Sequence, residues 1–196
     1  MQKRCDLMDF LLLHIPSSSE IEAEKIKLIK LSYSHWVQTD LFTLNWWILL
    51  FSTIIPYFIW WKLVDKNRFF ELFSYGLICA SIAMILDVMG TEMILWDYPD
   101  KFLPWIPPLI PADFVVIPIS AMLIYQYFNK WTSFLFANIL WAIVFAYIIE
   151  PIFSYLGMFK LGSHWLHTYS FIGFFFLGIF LKLFMEWLKK KAETPC

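Results

Sequence analysis

Five long apolar runs follow one another between residues 44 and 188, separated by short polar segments. Each run is close to the ~20 residues that a helix needs to cross the hydrocarbon core of a bilayer. The pattern therefore predicts five transmembrane helices, and their odd number places the two termini on opposite sides of the membrane. The predicted spans are approximately residues 44–61, 69–95, 106–128, 131–156 and 168–188.

An amphipathic helix is predicted before the first span. Ser17 and Ser19 are each followed three residues later by a glutamate, Glu20 or Glu22, which is the pattern of a capping box at a helix N-terminus. Apolar residues then recur at helical spacing among lysines and glutamates. This helix is too charged to cross a bilayer, so we expect it to lie on the membrane surface. The alternative is a helix that packs on a partner protein.

Composition agrees with a membrane protein. Of the 196 residues, 60% are hydrophobic and 16% are charged, whereas a soluble domain is about half apolar and a quarter charged. These values exclude a soluble globular, disordered or collagen-like chain. The 15 basic and 16 acidic residues nearly balance, so no nucleic-acid partner is expected.

The expected fold is all-α, an integral membrane bundle of five transmembrane helices preceded by the interfacial helix. Residues 1–40 form the N-terminal tail and amphipathic helix, residues 41–190 the transmembrane domain, and residues 191–196 a short C-terminal tail. The first 15 residues contain a short apolar run without a cleavage-site pattern, so we expect them to be retained.

The distribution of Lys and Arg predicts the orientation. Eight of them lie on the side that holds the first–second loop, the third–fourth loop and the C-terminus, whereas the short loops opposite carry only Lys101 and Lys160. The other five lie in the N-terminal tail and favour the opposite orientation, but the tail also has acidic residues and lies some distance from the first span, so it is given less weight: Lys3, Arg4, Lys25, Lys27 and Lys30. Cytoplasmic loops are enriched in Lys and Arg. The C-terminus is therefore expected in the cytoplasm and the N-terminal helix outside the cell. The eight residues are Lys62, Lys66, Arg68, Lys130, Lys182, Lys189, Lys190 and Lys191.

Three carboxylates inside the apolar spans are the candidate catalytic residues, because burying a charge in a membrane is costly and marks a functional site by default. Asp87 lies about 18 residues, or ~27 Å, along the second span. Asp113 is near the start of the third span, and Glu150 is about 19 residues along the fourth. All three are expected in the extracytoplasmic third of the bundle, with Asp87 and Glu150 as the central polar groups and Asp113 at the mouth of a pocket.

Asp87 and Asp113 also have an interpretation without chemistry, whereas no capping role explains Glu150. Asp87 lies on a stripe of small residues that is typical of a close helix–helix contact, and its carboxyl group could bond groups across that contact. The stripe is formed by Cys79 or Ala80, Ala83, Asp87 and Gly90. Asp113 stands where an N-cap residue would. Glu150 precedes Pro151, whose ring frees backbone carbonyls and favours a polar cavity.

No metal site and no cofactor is predicted. His164 and His167 are spaced to share a helix face, but they lack the context of a known metal motif. Cys5, Cys79 and Cys196 lie far apart and form no CxxC pair. Cys79 is therefore expected to be a small packing residue.

Several stretches of the chain resemble an uncharacterised family of small polytopic membrane proteins from endospore-forming bacteria. This resemblance implies a multi-pass fold and a bacterial host, and it implies no activity. The stretches are residues 41–47, 56–65, 86–87, 95–99, 111–113, 123–131 and 150–151.

A second and weaker resemblance is to the lycopene-cyclase-type and fungal meroterpenoid-cyclase-type membrane proteins. It rests on the short all-helical chain and on the segment Trp96-Asp97-Tyr98-Pro99, without the acidic pair motif of those enzymes. This resemblance implies an isoprenoid-like ligand and acid catalysis inside the membrane.

Three functional classes remain open from the sequence. The first is an acidic pocket for a membrane lipid or isoprenoid-like ligand, which either only binds it or acts on it as a terpenoid-cyclase-like proton donor. The second is a non-catalytic scaffold or membrane partner in envelope or spore assembly. The third is a proton or ion relay in a homo-oligomer. Aromatic residues at the depth of the carboxylates could line the pocket: Trp96, Tyr98, Trp105, Trp141, Tyr147 and Trp165.

Overall fold

The structure is a computed structural model that describes residues 16–106 and 109–193. The predicted tail up to residue 15 and the last three residues of the predicted C-terminal tail lie outside this range. Within it the chain is predominantly helical, and four helices are long and apolar enough to cross a membrane. A fifth apolar helix, Pro111–Tyr127, is shorter. The all-helical, multi-pass character predicted from the sequence is thus confirmed.

Six helices and one short two-stranded sheet make up the described fold. Helix α4 begins as a π-helical segment, and α5 contains one in its interior. The helices are α1 (Ser18–His35), α2 (Leu44–Leu63), α3 (Phe69–Glu92), α4 (π-helical Pro111–Val116 and α-helical Ile117–Tyr127), α5 (Trp131–Val144, π-helical Phe145–Ile149 and Glu150–Tyr155) and α6 (His167–Glu193); the strands are β1 (Trp96–Asp97) and β2 (Lys160–Leu161).

Helix α1 starts at the predicted capping box. The Ser17 hydroxyl accepts a hydrogen bond from the Glu20 backbone N–H, and the Glu20 carboxylate accepts one from the Ser17 N–H at 2.7 Å. None of the residues of α1 is buried. A π-helical turn, Trp36–Asp40, continues the helix, and the Trp36 indole N–H donates to the carbonyl of Lys101 at 3.0 Å. The C-terminal end of α1 is therefore fastened to the loop between α3 and α4.

Helix α4 is the central helix, because it contacts α2, α3 and α5. Its α3-facing side is closely packed. The rings of Tyr75 and Tyr125 stack with centroids 4.4 Å apart, and Gly76 leaves room for the side chain of Met122. Cys79 is fully buried in the same cluster, as expected of a packing residue.

The end of α4 lies beside the connection between α2 and α3. The Gln126 side chain accepts a hydrogen bond from the Asp65 N–H at 3.0 Å and donates one to the Leu63 carbonyl at 2.9 Å. Arg68 donates to the side chain of Asn129 at 3.3 Å. Since the start of α4 lies near the other end of α3, this helix covers most of the length of the bundle despite being only ~25 Å long.

Lys182 of α6 caps the C-terminus of α4. Its Nζ donates to the carbonyls of Phe128 at 3.2 Å and Asn129 at 2.8 Å, and it lies 4.3 Å from the ring centroid of Phe134. The residue is 2% exposed. A buried ammonium is tolerated here because helix carbonyls at a C-terminus attract a cation.

At the opposite end of the bundle, the α3–α4 loop pairs with the α5–α6 loop. Strands β1 and β2 are antiparallel, and the Gly162 N–H donates to the Leu95 carbonyl at 2.8 Å. A side chain at Gly162 would collide with the carbonyls of Ile94 and Leu95, so a glycine is needed at this contact. This two-stranded sheet holds the two loops over the ends of α3 and α5, where the candidate carboxylates lie.

Candidate functional site

Asp87 is buried on the face of α3 that packs against α4, with 5% of its surface exposed. Its Oδ1 accepts hydrogen bonds from the Trp96 indole N–H at 2.6 Å and from the Tyr98 hydroxyl at 2.7 Å. Its Oδ2 accepts one from the Leu109 backbone N–H at 3.2 Å. The carboxylate therefore ties both ends of the α3–α4 loop to helix α3.

The Trp96 ring packs against α3 at Gly90, one of the small residues of the stripe. The six-membered ring of Trp96 occupies the space that a Cβ at Gly90 would need. Ala83 and Asp87 on the same stripe are buried as well. The stripe was interpreted from the sequence as a helix–helix contact, and at Gly90 it instead lets an indole from the following loop reach Asp87.

Gly90→Ala is expected to lower the melting temperature in detergent micelles. The new methyl group would displace the Trp96 indole from Asp87, and such overpacking costs about 1–3 kcal/mol. Gly173→Ala in α6 is a matched control, because a Cβ there meets nothing within 4 Å and a helical Gly→Ala change is stabilising by roughly 0.5–1 kcal/mol. A melting temperature for Gly90→Ala at or above that of Gly173→Ala would contradict the packing described for Trp96.

Asp113 lies in the π-helical start of α4 and is 6% exposed. Its backbone N–H donates to the Leu109 carbonyl at 3.0 Å, while no side-chain capping bond forms at this helix start. Its carboxyl group is a neighbour of that of Asp87, which accepts a hydrogen bond from the N–H of the same residue, Leu109. Its Oδ2 is buried and has no hydrogen-bond partner among the described residues. Asp113 is therefore buried beside Asp87, rather than at an N-cap or at the mouth of a pocket as the sequence suggested.

Tyr98 is the side chain that covers this acidic pair. It is buried, and its hydroxyl donates to Asp87. Burial raises the pKa of the Tyr98 hydroxyl well above its ordinary value, and the nearby carboxyl groups of Asp113, Asp87 and Glu150 raise the pKa further. The phenol therefore remains a neutral hydrogen-bond donor.

Glu150 pairs with a histidine. It follows the π-helical segment of α5, and its Oε2 lies 2.8 Å from Nδ1 of His167 at the start of α6. The two side chains are partly exposed, at 15% and 30%. The sequence placed Asp87 and Glu150 together at the centre of the site. The structure instead brings Asp87 and Asp113 together and gives Glu150 a separate contact between α5 and α6.

A groove of about 350 Å³ lies between α1 and the α3–α4 loop. One of its lining residues is Tyr98, whose hydroxyl bonds Asp87, so this side chain connects the groove to the acidic pair. The lining includes both apolar and charged residues. They are Leu28, Leu31, Ser32, His35, Trp36, Asp40, Asp97, Tyr98, Pro99, Lys101 and Pro104.

Two further acidic residues were not identified from the sequence. Asp40 is 3% exposed and accepts a hydrogen bond from the Lys101 N–H at 3.4 Å. Glu71, at the opposite end of the bundle, binds Arg68 at 2.8 Å and Lys189 at 2.5 Å. The spacing of Arg68 and Glu71, three residues apart on a helix, was the one signal that could have indicated this ion pair. Nothing in the sequence marked Asp40 as buried.

Among residues 16–106 and 109–193, no group of three or more His, Cys, Asp and Glu side chains is placed to hold a metal ion. A scan against protein-family models, a search of curated proteins and a search of solved structures each found no match to this chain.

Proposed function

We propose that this chain is a five-span bacterial membrane protein that binds an amphiphilic lipid, isoprenoid-like in its apolar part, at the extracytoplasmic end of the bundle. The observation that carries the proposal is the groove between α1 and the α3–α4 loop. Its lining combines apolar and polar residues, and one of them, Tyr98, bonds Asp87 of the buried carboxyl pair. Ligand pockets typically combine such apolar walls with a few placed polar groups.

The five-span topology is supported by the contacts of helix α4. Its start lies near Asp87, late in α3, and its end lies near Asp65, before α3 begins. A helix that connects these two levels crosses the bundle, and its short length is accommodated because neighbouring helices surround it. The eight basic residues then belong to one end of the bundle and the candidate carboxylates to the other. We place the basic end and the C-terminus in the cytoplasm, following the positive-inside rule.

An interfacial position for α1 is supported by its exposed apolar residues. Ile21, Ile26 and Ile29 are each about half exposed, at 53%, 47% and 50%, and Lys25 and Lys27 lie among them. A helix of this composition lies in the plane of the headgroups, with its apolar side chains in the acyl region. The same placement would present the groove to lipids that enter from the outer leaflet.

The lining of the groove fits an amphiphile rather than a fully apolar molecule. Leu28, Leu31 and Pro104 can contact an acyl or isoprenoid chain, while His35 and Lys101 can contact a polar headgroup. If the protein also acts on its ligand as a terpenoid-cyclase-like acid, Asp113 is the better candidate acid. Asp87 is already bound by three donors, whereas Oδ2 of Asp113 has no described partner.

A non-catalytic scaffold is the second candidate function. It is favoured by one observation, that the three hydrogen bonds of Asp87 are all directed to its own loop, as in the packing interpretation of this residue. A scaffold does not need an occupied groove. Ligand occupancy therefore separates the two functions.

We expect Leu31→Gln to weaken ligand binding roughly 10-fold or more, because it removes an apolar contact worth about 1.5–3 kcal/mol. The measurement is native mass spectrometry of the detergent-solubilised full chain with geranylgeraniol and with phosphatidylethanolamine. Ile29→Gln is the matched control, since Ile29 lies on the same helix, is similarly exposed and does not line the groove. Equal retention of both probes by the two variants, or no adduct on the wild-type protein, would favour the scaffold.

A further inference from the structure

The buried carboxyl groups of Asp87 and Asp113 are neighbours, because Asp87 Oδ2 accepts a hydrogen bond from the Leu109 N–H while the Asp113 N–H donates to the Leu109 carbonyl. An ionised carboxylate can only accept hydrogen bonds, so two of them cannot bond each other without a positive group between them. Of the donors that reach this pair, the Trp96 indole and the Tyr98 hydroxyl bind Asp87, while the Leu109 N–H binds Asp87 Oδ2 and also acts on Asp113. Oδ2 of Asp113 is buried and has no hydrogen-bond partner among the described residues, so one carboxylate oxygen of the pair is left without a donor.

No cationic side chain compensates the pair within the part of the chain that the structure describes. The ion pairs there involve other carboxylates: Glu24, Asp40, Glu71 and Glu150. The remaining titratable groups that act on Asp113 or on Tyr98 beside it are neutral or acidic. They are Cys79 on α3, Tyr98 in the α3–α4 loop and Glu150 on α5.

Burying two uncompensated negative charges side by side costs several kcal/mol or more, and proteins avoid this by binding a proton or another cation. The site also lies at the π-helical start of α4. Such segments widen the helix by one residue per turn and occur frequently at functional sites.

We infer that Asp87 and Asp113 bind one exchangeable monovalent cation, either a proton or an alkali ion such as Na⁺, between their carboxyl groups. Only hard oxygen ligands are offered, which suits these ions. The inference does not depend on lipid binding in the groove, because the cation would lie behind Tyr98, on the side of Asp87.

The test compares the wild-type protein with Asp113→Asn. This variant removes one negative charge, and its amide nitrogen can donate directly to Asp87, so it replaces the cation while keeping the shape of the side chain. Glu92→Gln is the matched control, because it makes the same chemical change at an exposed position on α3. Melting temperatures of the full chain are measured in detergent at constant ionic strength, with choline replaced by Li⁺, Na⁺ or K⁺, at acidic and alkaline pH.

If the ligand is an alkali ion, the melting temperature of the wild-type protein and of Glu92→Gln rises by several degrees with that ion, and Asp113→Asn does not respond. If the ligand is a proton, alkali ions have no effect. The folded state then binds a proton that the unfolded state releases, so stability falls as the pH rises. The infrared carbonyl band of a protonated carboxylic acid is present in the wild-type protein and absent in Asp113→Asn.

The inference is overturned if the wild-type protein and Asp113→Asn respond identically to alkali ions and to pH, and the wild-type protein lacks the infrared band. Should Asp113→Asn fail to fold, the same two measurements on the wild-type protein decide the question. A protein with neither ion-dependent stability nor a protonated carboxyl group does not hold the cation.

Discussion

Asp87→Asn is expected to lower the free energy of unfolding by about 3 kcal/mol or more, the largest effect among the candidate site residues. The carboxylate accepts three hydrogen bonds, two on Oδ1 and one on Oδ2. An amide nitrogen cannot accept, so whichever way the asparagine is oriented, at least one buried donor faces another donor. Hydrogen bonds to a charged group contribute about 1.5–3 kcal/mol each, and an unsatisfied buried donor costs about 1–3 kcal/mol.

Chemical or thermal unfolding in detergent micelles measures this effect. Asp113→Asn is the informative comparison, because Oδ2 of Asp113 has no described donor to lose. We expect that variant to be at least as stable as the wild-type protein. Equal destabilisation by the two substitutions would contradict the prediction that the three hydrogen bonds to Asp87 make it the more important of the two residues for stability.

Lys182→Met is expected to lower the free energy of unfolding by about 2–4 kcal/mol. The substitution keeps the aliphatic stem but removes two charge-assisted hydrogen bonds to the carbonyls of Phe128 and Asn129. It also removes the cation beside the Phe134 ring. Lys191→Met on the same helix is the matched control, because Lys191 is exposed.

The unfolding of both lysine variants is measured in the same detergent. Because Lys182 belongs to α6 and its carbonyl partners follow α4, the loss of this contact is also expected to increase hydrogen exchange at the end of α4. If Lys182→Met unfolds like Lys191→Met, the buried ammonium contributes nothing to the joining of α6 to the bundle.

The apolar runs predicted most helix positions because the length and hydrophobicity of a span are properties of one segment alone. Four runs became helices long enough to cross a membrane, with ends close to those predicted. The third differs, since the predicted run begins at about residue 106 and the helix reaches only from Pro111 to Tyr127. Proline is favoured in the first turn of a helix, where its missing N–H needs no partner, and this explains the start better than hydropathy does.

For the candidate site, the sequence predicted only how far each carboxylate lies along its helix. The rise of 1.5 Å per residue sets how far a carboxylate lies along its helix, so Asp87, Asp113 and Glu150 could be assigned to the same end. The rotation of each helix and the choice of its neighbours depend on packing between segments far apart in sequence. For that reason the pairing of Asp87 with Asp113, and of Glu150 with His167, could not be predicted.

The partners of Asp87 illustrate the same limit. Trp96 and Tyr98 were noted from the sequence as aromatic residues at the right depth, but their hydrogen bonds to Asp87 depend on an irregular loop. Hydrophobic periodicity carries no information about the path of such a loop. The buried position of Asp40 depends on the same loop, through the N–H of Lys101.

Tyr98 is part of both the groove and the acidic pair, since it lines the groove while its hydroxyl binds Asp87. A side chain shared in this way would make the two proposed equilibria, ligand binding in the groove and cation binding by the carboxyl pair, interdependent. Whatever changes the charge on the acidic pair alters the strength of the Tyr98 hydrogen bond, and with it the shape that the groove offers to a ligand. Thermodynamic reciprocity then requires that an occupant of the groove change the affinity of the carboxyl pair by the same factor.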